Sequence, residues 1–562
     1  MFPPAGQAAA REMTAGTGGG QESRPVFFSA LAFLMLAVAF STVVHFTTEV
    51  APEDDAFIIY RYVDNAVAGH GLVYNVGQRV FGASTPLYVA FLACVKSVAR
   101  SVPTPDLAVR LNFIFYLAAG LGMVFLLSRL TRSAALAMAL SACFMLRDDM
   151  LRVSTGGMES FLFAALALWS LWSLATSRWT TAAVLAGLSV MARPEGVLVG
   201  LVVFVAWFVA CRRRPVPVML GLAGPALVWV VFATVYYGTP IYHSLVAKSR
   251  PLYPLPFGSG LSRLVWELQS RVFGDLGARG RTGFWGGAGR IGLAAFIAVL
   301  GLAGCLRRTR EGERLSDRTG VLAVPVTFGL FLLFYLATNP LIFEWYLPPV
   351  AALFFVFGAV GFSRLDHPML RFPWSRVVFL VWAGFVGLRA PLTRVAQGRP
   401  LTDVGVGSDG ERVRIFAYEA VARWLNENLP DSVTVLASEV GSLGYYYKGP
   451  ILDACGLVSP EAIPFIPAPA DERASPRDGV IPRALVRSLL PDVIVTMPVF
   501  AGRSLYSDEG FRETYVGVEQ FPLPIPIWKS ATVDVLIRRD RVAMDSTATD
   551  PNAISPADSI PR

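Results

Sequence analysis

The stretch VFFSALAFLMLAVAFSTVVHFTTEVAPEDDAFIIYRYVDN, residues 26–65, decides how the rest of the chain is read. Its first half, Val26–His45, is an apolar run long enough to cross a bilayer, which takes about 20 residues. No small-residue cleavage site followed by a soluble mature chain appears, so the run reads as a retained first helix rather than a removed signal peptide. The second half places Glu53, Asp54 and Asp55 at the membrane boundary. Adjacent carboxylates there are costly to desolvate and tend to be functional when they face a cavity. A helix drawn from Ala56 puts Ile59, Tyr62, Val63 and Ala66 on one face and Arg61, Asp64 and Asn65 on the other. This predicts a helix lying in the interface, apolar face to lipid and polar face to a pocket. Continued backward, the projection aligns Asp54 with Arg61 and Asn65 and turns Asp55 toward lipid, favouring Asp54 as the reactive carboxylate. The competing role is helix capping, for which Asp at a helix start is common; one of the pair can cap while the other reacts.

Outward from this stretch the composition agrees. Of 562 residues, 54% are hydrophobic and 16% charged, against about 25% charged in soluble domains. The mean hydropathy of +0.51 excludes a soluble multidomain protein and a disordered one. Apolar segments recur near 83–100, 107–128, 134–147, 159–176, 180–192, 196–211, 217–236, 291–306, 320–337, 347–362 and 376–391, giving about twelve candidate crossings. The net charge of +8 sits in short loops without interleaved aromatics, which argues for a positive-inside signal and against nucleic acid. Cys94, Cys143, Cys211, Cys305 and Cys455 are scattered and form no CxxC or Cys/His spacing, so neither a disulfide framework nor a zinc site is implied.

The basic clusters Arg212–Arg214, Arg307/Arg308/Arg310 and Arg364/Arg371/Arg376, placed in the cytoplasm, put loops 48–82, 237–290 and 338–346 outside. Six segments then lie between the first outer loop and Arg212, where an odd number is required. One is therefore partial: 83–100, 134–147 or 180–192. If it is 83–100 or 134–147, Glu159 and Arg193 fall on the side of Asp54. The expected organisation is a mobile cytoplasmic tail at 1–24, a mainly α polytopic helical bundle at 25–391, a soluble extracytoplasmic α/β domain at 392–545 and a polar tail at 546–562. Within the soluble part, an amphipathic helix is expected at 411–428 with Phe416, Val421, Trp424 and Leu425 on one side. Strands are expected at Val433–Ala437, Asp492–Thr496 and Thr532–Ile537, and a helix near 483–490.

Several motifs in order carry a resemblance. Asp54-Asp55-Ala56-Phe57-Ile58, Arg61-Tyr62, Asn65, Gly69-His70-Gly71-Leu72-Val73-Tyr74-Asn75 and Ser84-Thr85-Pro86-Leu87 form the first group. Thr155-Gly156-Gly157-Met158-Glu159, Ala192-Arg193-Pro194-Glu195-Gly196 and Trp345-Tyr346-Leu347-Pro348 follow, then Glu439–Tyr446 and Asp453–Leu457. Together, over most of residues 26–460, they resemble polytopic glycosyltransferases of the GT-C architecture that use lipid-linked sugars. The likeness is to arabinofuranosyltransferases and, more distantly, to aminoarabinose and protein mannosyl transferases. One departure is Gln78-Arg79-Val80-Phe81, where relatives often carry Glu after the Gly; the site has one fewer carboxylate and nothing is assigned to Gln78.

The resemblance implies transfer of a sugar from a polyprenyl phosphate to an extracytoplasmic cell-envelope glycan, lipid or protein acceptor at the inner membrane, with no fixed cofactor. Such a transfer needs a carboxylate near the acceptor or anomeric carbon, positive charge at the departing phosphate and an apolar groove for the lipid. Asp54 or Asp55 supplies the first; Arg61, Arg193, His243 and Lys248 are phosphate candidates. Asn65, Glu159, Glu344 and Tyr346 complete the expected substrate contacts. Each has a plainer role beside it: snorkelling for Lys248, ion pairing for Arg193, a helix-terminal charge for Glu159, the interfacial aromatic belt for Tyr346. His70, alone in its loop, reads as a surface residue. A transporter or lipid-carrier flippase is the competing class, but no internal repeat is seen and the acids lie at one interface rather than midway. A non-catalytic assembly or sensory protein is the third.

Overall fold

The computed structural model describes residues 23–47, 52–250, 253–273, 298–306, 315–365, 374–401, 409–473, 475 and 479–542. Residues 1–22 of the expected N-terminal tail, the expected C-terminal tail, loop residues 274–290, the start of segment 291–306 (291–297), Arg307, Arg308, Arg310 and Arg371 lie outside them. The first part of the chain is α1 (Arg24–Thr47), α2 (Asp54–Val67), α3 (Pro86–Val98), α4 (Thr104–Thr131), α5 (Ala134–Met145), α6 (Asp148–Thr155), α7 (Ser160–Ala175), α8 (Trp179–Ala192), α9 (Gly196–Ala210) and α10 (Pro215–Tyr237). Then come α11 (His243–Ser249), α12 (Ser259–Phe273), α13 (Leu315–Thr338), α14 (Leu347–Leu365) and α15 (Trp374–Ala396).

Among the described residues, six helices are long and apolar enough to cross a membrane, seven if α6 and α7, bent by 115°, count as one broken span. Of the roughly twelve candidate crossings expected, one of them partial, segment 291–306 begins outside the described residues. α3, α5, α8 and α9 are apolar but only 12–15 residues long, about 18–23 Å at 1.5 Å per residue against a hydrocarbon core of about 30 Å. Apolar composition alone does not mark where a helix stops.

The odd segment out is α3. Near its start the Tyr88 hydroxyl donates to Gly157 O at 2.7 Å. Just beyond its end, Thr104 Oγ1 bonds Asp64 of α2. Both ends of α3 thus stay on the side of α2, and the segment 83–100 is the partial one. Glu159 and Arg193 consequently fall on the same side as Asp54. The end of α10 returns there too: the Tyr237 hydroxyl donates to Leu72 O at 2.9 Å, and its ring stacks on Phe81 with centroids 4.8 Å apart.

The C-terminal part begins with α16 (Asp409–Asn428), then β1 (Val435–Ala437), α17 (Ser442–Tyr446), β2 (Ile451–Asp453), α18 (Arg483–Leu489), β3 (Val493–Thr496), β4 (Tyr515–Ile527) and β5 (Ser530–Arg538). The strands form one mixed sheet in the order β2-β1-β3-β5-β4, with β1 parallel to β2 and β3 and β5 antiparallel to β3 and β4. The helices and strands expected there are present within a few residues, while β2 and β4 add to them. β4 carries Pro522, Pro524 and Pro526, which remove ladder donors; such a strand is tolerated at a sheet edge, where it lies. One expected core residue is corrected: Phe416 is 55% exposed, and α16 buries Ile415, Tyr418, Val421, Ala422 and Leu425 instead.

This domain roofs α2. Every residue from Ala56 to Val63 is buried, and Phe57 meets the rings of Tyr445 and Tyr446 at 5.4 and 5.9 Å. The expectation that α2 lays its apolar face on lipid is therefore wrong. A projection of α2 shows two faces but not that residues nearly 400 positions away cover one of them.

Candidate active site

The two adjacent aspartates have opposite surroundings. Asp54 is 3% exposed, and its Oδ1 accepts the Ser442 N–H at 2.8 Å and the Ser442 hydroxyl at 2.7 Å. Gly441 closes over it: a Cβ there would lie 2.0 Å from Asp54 O and 2.4 Å from its Oδ2. Glu53, not an aspartate, occupies the N-cap position of α2, and its side chain caps nothing. Asp55 is half-buried and makes no hydrogen bond or ion pair among the described residues. Burial and the Asp54 charge push its carboxyl up to about 6, against the pull of Lys248 and Arg414. The sequence projection favoured Asp54 as the reactive carboxylate; here Asp54 is the carboxylate held by Ser442 and closed over by Gly441, and Asp55 is the one without a hydrogen bond among the described residues.

Around Asp55 lies a ring of charge assembled from both halves of the chain. Arg414 of α16 pairs with Glu411 on its own helix and with Glu439 after β1. Glu53 is pushed up to about 8 by burial and by the Glu411 and Glu344 carboxylates. Burial and the nearby Asp54 and Asp55 charges also raise Glu439, opposed by Arg414. Glu53, Glu411 and Arg414 were not anticipated as site residues. The i, i+3 spacing of Glu411 and Arg414 on one face of α16 is the only local signal for them.

The cations form the other wall. Lys248 is exposed and has no hydrogen bond or ion pair among the described residues, yet it acts electrostatically on both Asp55 and Glu159. Arg193 is fully engaged: it meets Glu159 at 2.8 Å and Glu195 at 3.1 Å, and its guanidinium lies 4.7 Å from the Tyr346 ring centre. Glu159 Oε2 keeps no partner. The turn carrying Glu159 needs Gly157, which has φ +67° and would bring a Cβ within 2.0 Å of the Tyr60 hydroxyl. Glu344 pairs with Arg152 at 2.7 Å. Glu159, Arg193, Lys248, Glu344 and Tyr346 are thus gathered around the acidic end of α2.

Arg61, Asn65 and His243 take other positions. Arg61 donates to Tyr74 O at 2.7 Å, Tyr447 O at 3.1 Å, Gly449 O at 2.8 Å and also to Gly444 O. Asn65 donates to Val73 O and Tyr74 O at 2.9 and 3.0 Å. His243 exchanges bonds with Phe81, its Nδ1 accepting the Phe81 N–H at 3.2 Å. All three act as struts of the loop. Arg61 in particular clasps α2 to the C-terminal domain, and its removal would take the side-chain donor from Gly444 O, Tyr447 O and Gly449 O, while Tyr74 O keeps Asn65. Arg61→Ala is expected to cost about 3 kcal/mol or more, read as a lower unfolding temperature and faster proteolysis between α15 and α16. Arg61→Lys should not restore it, because a single ammonium lacks the planar fork. Wild-type resistance in Arg61→Ala would remove the clasp.

Three comparisons bear on this arrangement. A family model described as a domain of unknown function (DUF8728) matches residues 408–544, the unit of α16 and the sheet. The chain is similar to the terminal beta-(1->2)-arabinofuranosyltransferase of Mycobacterium tuberculosis (strain ATCC 25618 / H37Rv), 28% identical over 218 residues, covering 35% of this chain and 34% of that protein. The chain thus matches about a third of the length of this curated relative. The crystal structure of ArnT from Cupriavidus metallidurans bound to undecaprenyl phosphate aligns with a TM-score of 0.51 at 12% identity, covering 90% of this chain and 98% of that one. The fold is therefore GT-C-like: a multi-pass membrane helical bundle with a C-terminal mixed α/β domain.

Proposed function

We propose that this protein is a membrane glycosyltransferase that moves a sugar from a polyprenyl phosphate to an acceptor hydroxyl on the outer side of the inner membrane. The observation that carries this is Asp55, a carboxylate without a hydrogen bond or ion pair among the described residues and within electrostatic reach of Lys248, on a GT-C-like fold. The fold likeness supports the donor class, since the ArnT crystal structure holds undecaprenyl phosphate. In this reading the C-terminal domain is extracytoplasmic and the acceptor is an envelope glycan, lipid or protein.

The acceptor oxygen attacks the anomeric carbon as its proton passes to Asp55, and the bond from that carbon to the phosphate oxygen breaks. The electron pair leaves with the polyprenyl phosphate, whose charge Lys248 receives. A preorganised cation at a developing anion is worth more in a water-poor site than in water. Asp54 fixes the start of α2 through Ser442, and Arg193, saturated by Glu159 and Glu195, holds the floor. Among the phosphate candidates, Lys248 is favoured over Arg61 and His243 because the latter two are committed to the loop.

A proton acceptor works best with a pKa near the working pH, and Asp55 at about 6 meets this. The groups acting on it include Glu53 and Asp54 beside it, Lys248 of α11, Tyr253, Glu411 and Arg414 of α16, Glu439 and Asp453 after β1 and in β2, and Cys455. Below about pH 6 the carboxyl is protonated, so kcat/KM is expected to fall about tenfold per pH unit on the acid side. A profile flat down to pH 4.5 would exclude Asp55 as the base. The test of function is release of polyprenyl phosphate from a labelled polyprenyl-phosphate sugar by the purified protein. Movement of the labelled lipid across the bilayer without bond cleavage would make it a flippase.

A further inference from the structure

We infer that Trp528 is a stacking platform for a sugar ring of the acceptor, which rests on the glycosyltransferase reading and adds an acceptor subsite to it. Ile527 and Ser530 pair across a two-residue turn between β4 and β5, leaving Trp528 and Lys529 as its central residues. Both have positive φ, 48° and 71°. Such turns favour Asn-Gly, because side chains with a Cβ are strained there. Trp-Lys is thus held in a conformation that local propensity opposes. The turn is pinned in place: the Ser530 hydroxyl accepts the Val499 N–H at 3.0 Å, and Phe500 meets the indole edge-on at 5.6 Å.

Despite this support the indole remains 50% exposed. Its position ties it to the reaction centre: the Arg414 guanidinium lies 5.0 Å from the ring centre. Arg414 is the residue that bridges Glu411 and Glu439, and its Nε is buried with no partner. The result is a flat aromatic surface beside carboxylates, the combination that suits a saccharide. The C–H face of the sugar packs on the indole face that Arg414 does not cover, and hydroxyls at the sugar's edge reach toward Glu411 and Glu439. An exposed Trp also serves as an anchor in the membrane interface. Here Glu411, Glu439 and Asp54 act on Arg414 beside the ring, a setting that suits hydroxyl donors better than anionic headgroups.

The test uses the full-length protein in nanodiscs without donor and two probes, a methyl-capped oligoarabinofuranoside and a methyl-capped oligomannoside. Binding of one of them to wild type should weaken about tenfold or more in Trp528→Ala and in Trp528→Leu, and by less than about threefold in Trp528→Phe. With donor present, the Trp528→Ala acceptor KM should rise about tenfold while the donor KM stays within about twofold. Binding of neither probe to wild type, unchanged binding in Trp528→Ala, or wild-type binding in Trp528→Leu would each overturn the platform, the last in favour of a lipid anchor. A parallel rise in donor KM would also overturn it, making the turn a structural element. Oligosaccharide binding that persists in a protein releasing no polyprenyl phosphate would sink the transfer reading and leave the saccharide site standing.

Discussion

Asp55→Asn is expected to lower kcat about 10²- to 10⁴-fold, the range that a positioned proton acceptor contributes, while the neighbouring Asp54→Asn loses about tenfold or less. The contrast follows from their surroundings. An asparagine at 54 keeps a carbonyl oxygen for the Ser442 N–H and hydroxyl, so the start of α2 stays in place. An asparagine at 55 keeps the shape but removes the base. Stability should move the other way. Asp55 has a folded-state pKa raised from 3.8 to about 6, so its protonated form favours the fold. That contribution is full below about pH 4 and is lost as pH rises through 6. At pH 7 Asp55→Asn should therefore unfold at the same temperature as wild type or higher, while Asp54→Ala, which leaves Ser442 without its acceptor, should unfold lower. Turnover and thermal unfolding of the three variants check this. An inactive Asp54→Asn beside an active Asp55→Asn would transfer the role to Asp54.

The second large effect is expected at Lys248. Lys248→Met should cost about 10²- to 10³-fold in kcat/KM, because the departing phosphate loses its cation, with little change in unfolding temperature since Lys248 is exposed and has no ion pair among the described residues. Lys248→Arg should recover part of the loss. Arg193→Met should behave differently: it strands Glu159 and Glu195, both 4% exposed or less, and removing one partner of a buried ion pair costs about 3–5 kcal/mol. It is therefore expected to fail in stability before it fails in rate. Steady-state kinetics paired with thermal unfolding separate the two. A Lys248→Met variant with wild-type turnover would show that the phosphate is bound elsewhere.

How far the chain could be read in advance depends on the range of the interaction. Apolar length and charge in loops are local, so the membrane bundle and the shift to a soluble pattern after Arg389 were legible in the sequence. So were the main helices and inner strands of the C-terminal domain, whose apolar spacing repeats every two or four residues. β4 was missed because its prolines resemble a loop, and edge pairing with β5 is not a local property. Which apolar segment fails to cross was not legible, because α3 is as apolar as α5, α8 and α9, and only the contacts of Tyr88 and Thr104 keep both its ends on the side of α2.

The candidate site divides in the same way. By itself the sequence determined that acids stand at the end of the first helix, that Glu159 follows a Gly-Gly turn at the opening of an apolar helix, and that Lys248 follows α10, because composition and chain order are enough for these. Tertiary structure alone decided which aspartate is free, that Arg61 is a clasp, and that Arg414 and Trp528 belong beside Asp55. Those outcomes depend on Ser442, Gly444 and Glu439 arriving from nearly 400 residues away. A hydrogen bond that spends one carboxylate and leaves its neighbour open exists only once both ends of the chain have met.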